Sequence, residues 1–434
     1  MDIHLLYQRY LTARCVTIDS KQVTPGALFF AIRGNRFNGN AFAGEALAQG
    51  ASYAIIDDID YLEPSPAYIL VEDALATLHA LATHHRLQYG PHFPVIAVTG
   101  SYGKTTTKNL IHSVLTTTYP TVATKGNLNT TIGVALTLLS MDQETAIAVV
   151  EMGASQLGDI RRCCSIALPT HGLITAIGEA HLDGFDTLEG VLKGKGELYD
   201  YLYATQGILF LNSLDPLLAS IAGKFTSPIT YPQSNDFFSL ELVAQAPYLS
   251  CKSIEGKVLT THFLGSPHRY NIAAALCVAK YFKVPMERAY AAIEGYIPVD
   301  QRMELVMQGN HQFIIDSYNA SPASVEAALD ALLQLKVAYR VVVLGDMAAL
   351  GEQTAMWHDK ILVQLHHPGF DLVLLCGPFF AVAAKKQPHA KVHCFLTKEA
   401  LQLYLSGRSF DHSGFLFKGA HSLQMHTLVK IIEK

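Results

Sequence analysis

The sequence predicts an α/β protein of three domains, with a parallel sheet and a phosphate-binding loop (P-loop) in the central one. Three observations lead there. Residues 95–115, VIAVTGSYGKTTTKNLIHSVL, read as an apolar strand, a Gly-containing turn and an amphipathic helix, the build of a nucleotide-phosphate cradle. Beyond this run strands and helices alternate, which implies a mostly parallel sheet covered by helices. Two breaks, Tyr89-Gly90-Pro91-His92-Phe93-Pro94 and Gly295-Tyr296-Ile297-Pro298-Val299-Asp300, divide the chain into 1–93, 94–298 and 299–434. A prior of about 150 residues per domain gives the same number for 434 residues.

In the first domain the pattern predicts short strands at Ala27–Ile32 and Ala54–Ile56 and a helix over Ala74–Leu87. The central domain opens with a strand at Ile96–Val98, followed by a helix with Leu110, Ile111, Val114 and Leu115 on one face. Further strands are expected at Ala146–Val150 and Leu173–Ile177. The last third restarts the alternation at Phe313–Ile315, Val341–Leu344, Leu372–Leu375, Val392–Phe395 and Phe415–Phe417, as an open doubly wound domain. Ser321-Pro322 caps its first helix, with Val325, Ala328, Leu329, Leu332 and Leu333 at helical spacing.

Composition narrows the function classes. Half of the residues are hydrophobic and 16% charged, so burial is ample and disorder minor. A net charge of −5 with acids and bases mixed leaves no basic stripe for nucleic acid. No stretch reaches the ~18 apolar residues of a membrane span, and MDIHLLYQRYLTARC lacks the pattern of a secretory leader, so a cytoplasmic protein without stable membrane insertion is expected, as a monomer. Seven cysteines without a C-x-x-C pair read as buried reduced thiols. The pairs His84-His85 and His366-His367 read as surface histidines rather than metal ligands.

Chemistry concentrates around residue 100. Backbone N–H groups from Gly100 through Ser101 to Gly103 can converge on phosphate oxygens, Lys104 adds a point charge, and Thr105 offers its hydroxyl to Mg²⁺. The loop is shorter than the general GxxxxGK[ST] pattern, whose outer Gly would fall at Val98. Ligands of parallel sheets gather beyond the carboxyl ends of the strands. Glu151, after Ile147–Val150, and His181, after the strand at 173–177, stand there. A carboxylate so placed suits Mg²⁺, a hard cation that prefers oxygen. Lys195, in VLKGKGELYDYL, reads by itself as a solvated helical lysine.

Taken in order, the motifs resemble those of the Mur ligases, the ATP-dependent amide-bond-forming enzymes of peptidoglycan assembly. The likeness covers nearly the whole chain. It rests on Asp19-Ser20-Lys21 with Gly26-Ala27-Leu28-Phe29, then TGSYGKTTTK, GNLNTTIGVALTLL, VVEMGAS, AHLDGF, KGKGELY, HRYNIAAAL, QRMEL, IIDSYNASP, LGDMAALGE and FKGAHS. DSYNASP and GDMAALGE are most particular to the branch that adds D-alanyl-D-alanine to UDP-N-acetylmuramoyl-tripeptide. The Asp-Asn-Pro-Arg string typical of the diaminopimelate-adding branch is absent.

The resemblance implies a UDP-sugar-binding first domain, a central ATP-binding P-loop domain and a C-terminal Rossmann-like domain that closes over the site. It implies that Lys104, Thr105 and Thr106 meet ATP phosphates, that Glu151 and His181 hold metal with Thr105, and that Lys195 is the lysine carbamylated in the family, supporting a second Mg²⁺. Asn271 and Arg302 become nucleotide contacts, and Asp316 a ribose or adenine-side contact with Tyr318 and Asn319. Ser20, Lys21 and Phe29 become UDP-sugar contacts, and Asn127, Asn129 and Thr130 muramoyl-peptide contacts. Lys21 stands where Arg is usual, which exchanges a bidentate contact for a point charge. Ser321 replaces an Asn, Ala349 a Glu, and Ala420-His421 the usual Ser-Arg. The implied reaction activates a carboxylate as an acyl phosphate and captures it with an amine. The alternatives are a ligase of the same superfamily with another amino substrate, such as a folylpolyglutamate synthetase, and a P-loop kinase or ATPase that makes no amide.

Overall fold

The computed structural model describes residues 2–34, 37–245, 248–298 and 301–432, without the side chain of His421. Val299 and Asp300, the end of the second expected break, and the side chain of the departure at His421 therefore lie outside the described residues.

The described residues form four sheets. The first has four parallel strands in chain order, Val16–Thr17, Leu28–Phe30, Tyr53–Ile56 and Tyr68–Leu70. The central sheet is parallel with six strands, in the spatial order Ile229–Tyr231, Ile208–Asn212, His171–Ile174, Val95–Thr99, Ile147–Glu151, Thr121–Ala123. Its phosphate-loop strand is flanked by the strands that end at Glu151 and Ile174, with Val98 beside Glu151 and Thr99 beside Ile174. That topology brings residues far apart in sequence to one sheet edge. A three-stranded antiparallel sheet, Leu240–Ala244, Ser250–Ser253 and Val258–Thr260, follows. The last sheet orders Glu304–Gln308, His311–Asp316, Ser413–Lys418, Tyr339–Gly345, Leu372–Cys376 and Val392–Phe395, with only the first pairing antiparallel.

Alternation along the central strand sorts its side chains to two cores. Val95 and Ala97 pack with Leu78, Leu81 and Leu138, and this core continues into Leu6, Leu28 and Ile55 of the first sheet. Ile96 and Val98 pack with Leu110, Ile111, Val114 and Leu115 of the helix Lys104–Leu115 and with the helix His268–Tyr281. Each such aliphatic side chain contributes roughly 1.5–3 kcal/mol on burial. The phosphate loop thus springs from a strand buried along its whole length and paired on both sides.

Several expectations need correction. The strand predicted at Leu173–Ile177 is His171–Ile174: Thr175 N makes the last ladder bond, to Thr99 O at 2.8 Å, and its hydroxyl donates to Tyr102 O. His85 is 5% exposed, enclosed by Tyr7, Tyr10 and Met141 O where the first helix meets the central domain. Cys394 is exposed and Cys15 half-buried, while the other five thiols are buried. The antiparallel sheet at 240–260 and the edge strand Glu304–Gln308 escaped sequence reasoning.

Candidate active site

The phosphate loop leaves the strand Val95–Thr99 and enters the helix Lys104–Leu115 through Gly103, whose φ of +77° is left-handed. A side chain there is barred twice, by the backbone and because a Cβ would stand 2.7 Å from Asn271 Oδ1. Asn271 is fixed in turn. Its Oδ1 accepts from Thr107 Oγ1 at 3.1 Å, and its amide meets His268 Nδ1 at 3.2 Å. Burial pushes the His268 pKa down to about 4, so the ring is neutral and Nδ1 accepts. Lys104 curls back, its Nζ donating to Gly100 O at 2.7 Å and Ser101 O at 3.2 Å. Burial lowers its pKa to about 8, against the attraction of Glu151 and with the repulsion of Arg302.

Glu151 ends its strand with no exposed surface. Its Oε1 accepts from Thr105 Oγ1 at 3.1 Å and Asn129 Nδ2 at 2.8 Å, while Oε2 is buried without a hydrogen-bond partner. Leaving a buried acceptor unmade costs roughly 1–3 kcal/mol. A cation would relieve that cost, and a carboxylate beside a threonine hydroxyl and a phosphate loop is an oxygen-donor set that fits Mg²⁺. Among the described residues no three His, Cys, Asp or Glu side chains gather around one point. The protein groups here are few, as Mg²⁺ held largely by phosphate oxygens and water requires.

His181 sits in the left-handed region at φ +54° and precedes the short helix Leu182–Phe185. Burial, then the charges of Lys195 and Lys104, lower its pKa. The turn leading to it is tied to the phosphate loop: Ser101 Oγ donates to Gly178 O at 2.9 Å and accepts from Gly178 N at 3.1 Å. After it, Leu182 N donates at 3.1 Å to the carbonyl of Ala349, itself at φ +59°.

Lys195 is 1% exposed, which corrects the solvated-lysine reading. It lies on the helix Leu188–Ala204, its Nζ donating to Ala154 O at 2.8 Å beside the Phe185 ring. Burial, and next the charge of Lys104, hold its pKa well below the ordinary lysine value. A lysine so placed is primed to be neutral and nucleophilic.

These groups meet residues of the third domain around a cavity of about 720 Å³. Of the residues singled out in the sequence, Ser101, Gly103, Lys104, Thr105, Thr106, Asn129, Thr130, Glu151, His181, Asn271, Arg302, Asp316, Tyr318 and Asn319 line it. The Arg302 guanidinium stacks 3.8 Å above the Tyr318 ring, with Nε buried and unpartnered. Asp316 accepts from Met303 N and from Lys418 Nζ, and Lys418 also donates to Asn319 O at 2.8 Å. Gly100 and Lys195 stand outside the lining, the first lending its carbonyl to Lys104 and the second bonded to the lining residue Ala154.

Asn127, which is exposed, and Ser20, Lys21 and Phe29 do not line the cavity. Ser20 is buried at the start of a 3-10 turn and Lys21 is exposed. Phe29 is 1% exposed in the alanine-rich core with Ala31, Ala43 and Ala46, which removes its side chain from the candidate contacts. Sequence reasoning passed over Tyr102, Asp159, Arg162, Thr175, His268 and Lys418, which all line the cavity. Tyr102, His268 and Lys418 stood inside motifs already noticed, whereas nothing local marked the others.

Comparison with known proteins follows this geometry. Three domain families match in chain order: "Mur ligase family, catalytic domain" over 12–86, "Mur ligase middle domain" over 98–279, and "Mur ligase, glutamate ligase domain" over 301–421. A UDP-N-acetylmuramoyl-tripeptide--D-alanyl-D-alanine ligase of Bacillus subtilis is 32% identical over 426 residues, 96% of this chain and 92% of that protein. Its Escherichia coli counterpart is 31% identical, covering 98% and 94%. Among solved structures, MurF from Acinetobacter baumannii superposes with a TM-score of 0.88 at 28% identity, covering 100% of this chain and 98% of that one. MurF ligase from Thermotoga maritima in complex with ADP gives 0.82 at 26%, covering 98% of each. A folylpolyglutamate synthase of Mycobacterium tuberculosis gives 0.59 at 15% identity, covering 82% of this chain and 95% of that one, a likeness of fold alone.

Proposed function

The chain belongs to the Mur ligase family, and from that premise we propose that it uses ATP to join D-alanyl-D-alanine to UDP-N-acetylmuramoyl-tripeptide, the reaction for which its relatives are named. One observation carries the reading: Glu151, whose buried Oε2 has no partner, lines a cavity shared by the phosphate loop and by Arg302 and Asp316 of the third domain. A simple phosphate-loop ATPase has no need of a further domain converging on its nucleotide.

A carboxylate resists amines, so it must be activated. The terminal carboxylate of the tripeptide attacks the γ-phosphorus of ATP, forming an acyl phosphate and releasing ADP. The amine of D-alanyl-D-alanine then adds to the acyl carbon, and the tetrahedral adduct expels phosphate and loses a proton. The backbone N–H groups around Gly103 and the Lys104 ammonium hold the phosphates, with Ser101, Thr106 and Asn271 shaping the loop. Arg302, poised on Tyr318 with a free Nε, supplies charge from the third domain, while Asp316 and Asn319 face the nucleoside end. Glu151, Thr105 and His181 would hold Mg²⁺, which would supply positive charge to the transferring phosphoryl group.

The neutral amine of Lys195 would capture CO₂, release a proton and become an anionic oxygen donor for a second ion; its burial, with no ion pair to a carboxylate among the described residues, supports this role. Ser20 and Lys21 grip the UDP-sugar, and Asn127, Asn129 and Thr130 guide the peptide toward the loop. The test is an endpoint reaction with ATP, Mg²⁺, UDP-muramoyl-tripeptide and D-alanyl-D-alanine, with products weighed by mass spectrometry. Phosphate release that requires both the tripeptide and the dipeptide is expected. ATP turnover without the amine, or capture of a different amine in preference, overturns the reading.

A further inference from the structure

His181 poses a physical problem. A non-glycine residue with positive φ is held in a sparsely populated conformation and persists only where its surroundings over-determine it. On the far side the Ala349 carbonyl holds Leu182 N. On the near side the segment Gly178-Glu179-Ala180 has no helix or strand of its own. What fixes it is the phosphate loop, through Ser101 and, above all, Tyr102.

The Tyr102 hydroxyl donates to Glu179 O at 2.6 Å. Its ring closes so tightly over Gly178 that a Cβ there would stand 2.4 Å from Cε2. The carbonyl of the same residue accepts from Thr175 Oγ1, at the point where the chain leaves its strand. Tyr102 therefore grips the beginning and the middle of the turn 175–181, and it lines the cavity with His181. Nothing in the chemistry of a phosphate loop calls for a phenol one residue before Gly103.

We propose that Tyr102 is a positioning residue, whose hydroxyl, through the Glu179 carbonyl, fixes where His181 stands relative to the phosphate loop. The proposal rests on the ligase reading for the role of His181. Bound phosphate and the metal-side imidazole then share one rigid frame, and a displacement of the loop is passed to His181 without an intervening flexible joint.

Tyr102→Phe tests this, since it keeps the ring over Gly178 and removes only the hydroxyl. In the full chain without nucleotide, hydrogen exchange over 177–185 should quicken by about fivefold, the factor one neutral hydrogen bond carries, with the strand Val95–Thr99 unchanged. With all substrates, kcat should fall by about fivefold and half-saturating Mg²⁺ should rise severalfold, while KM for ATP stays within twofold. A tyrosine with a merely structural role would lower the melting temperature and leave the Mg²⁺ response alone. Wild-type exchange over 177–185 in the variant, or kcat and Mg²⁺ response within twofold of wild type, overturns the proposal. A wild-type chain that forms no amide product refutes the ligase reading instead, and the exchange measurement still decides whether Tyr102 holds the turn.

Discussion

Replacing Glu151 by Gln separates a catalytic from a structural role. The side chain keeps its shape, and its Oε1 can still accept from Thr105 and Asn129. Two energies then oppose each other. Neutralising a buried carboxylate recovers part of its desolvation cost, while the amide nitrogen that replaces Oε2 stays unpartnered at roughly 1–3 kcal/mol. Loss of the attraction between Glu151 and the half-buried Lys104 takes back a similar amount. The net change in stability without Mg²⁺ should stay within about 1 kcal/mol, or about 2–4 °C in melting temperature for a domain of this size. Turnover is another matter, because an amide oxygen is a poor substitute for an anionic ligand. We expect kcat/KM to fall at least ~100-fold, about 2.7 kcal/mol of transition-state stabilisation. Thermal melting in EDTA paired with the mass-spectrometric ligation assay reads both numbers. A melting temperature lower by more than about 6 °C, or activity within tenfold of wild type, would refute the assignment of Glu151 as an ion ligand waiting in the fold.

Four further outcomes follow from the titrations and the buried ion pair. Lys104, with its pKa lowered to about 8, is cationic below that pH and neutral above it, so KM for ATP should be flat up to about pH 7.5 and rise toward tenfold per pH unit above 8; a flat profile to pH 9.5 would exclude its charge from ATP binding. By the same linkage the unfolded chain holds this proton longer, so Lys104 makes the fold more stable as pH climbs from 8 toward 10.5. His171 and His268 are held near 4 by burial, which keeps them neutral in the fold. Between pH 6.5 and 4 unfolding should therefore take up two extra protons, a loss of about 2.7 kcal/mol per pH unit on acidification. His171→Gln should remove one of those protons in urea titrations, and an unchanged slope would show that His171 does not contribute. Lys418→Met strands Asp316 in a buried site, at a cost of roughly 3–5 kcal/mol. Adding Asp316→Asn should recover part of it, and an additive double variant in urea unfolding would argue that the pair is not coupled.

Local chemistry explains which parts of this protein could be read from its letters. The phosphate loop was legible because strand, glycine turn and helix are contiguous, and each has a short-range cause. The N-cap at Ser321 was equally plain, and the helix Pro322–Gln334 starts with the expected proline and a capping box. The antiparallel sheet at 240–260 was not legible, because its middle strand, Ser250–Ser253, carries a single small apolar residue, Cys251, and no large one. Phe29 shows the limit from the other direction. Its motif suggested a ligand contact, but the face of a three-residue strand toward which a side chain points is settled by the layer packed against it.

By itself the sequence determined the elements whose stability is local and, through motif order, the family. The tertiary structure decided which polar groups lose water and which meet. Lys195 reads as an ordinary helical lysine until the helix Asp159–Ala167 and Phe185 close around it. Glu151 becomes a waiting ligand only because strand order sets it beside Thr105 while leaving Oε2 unpaired. Desolvation and juxtaposition across 50 to 200 residues are properties of packing, and no local pattern encodes them.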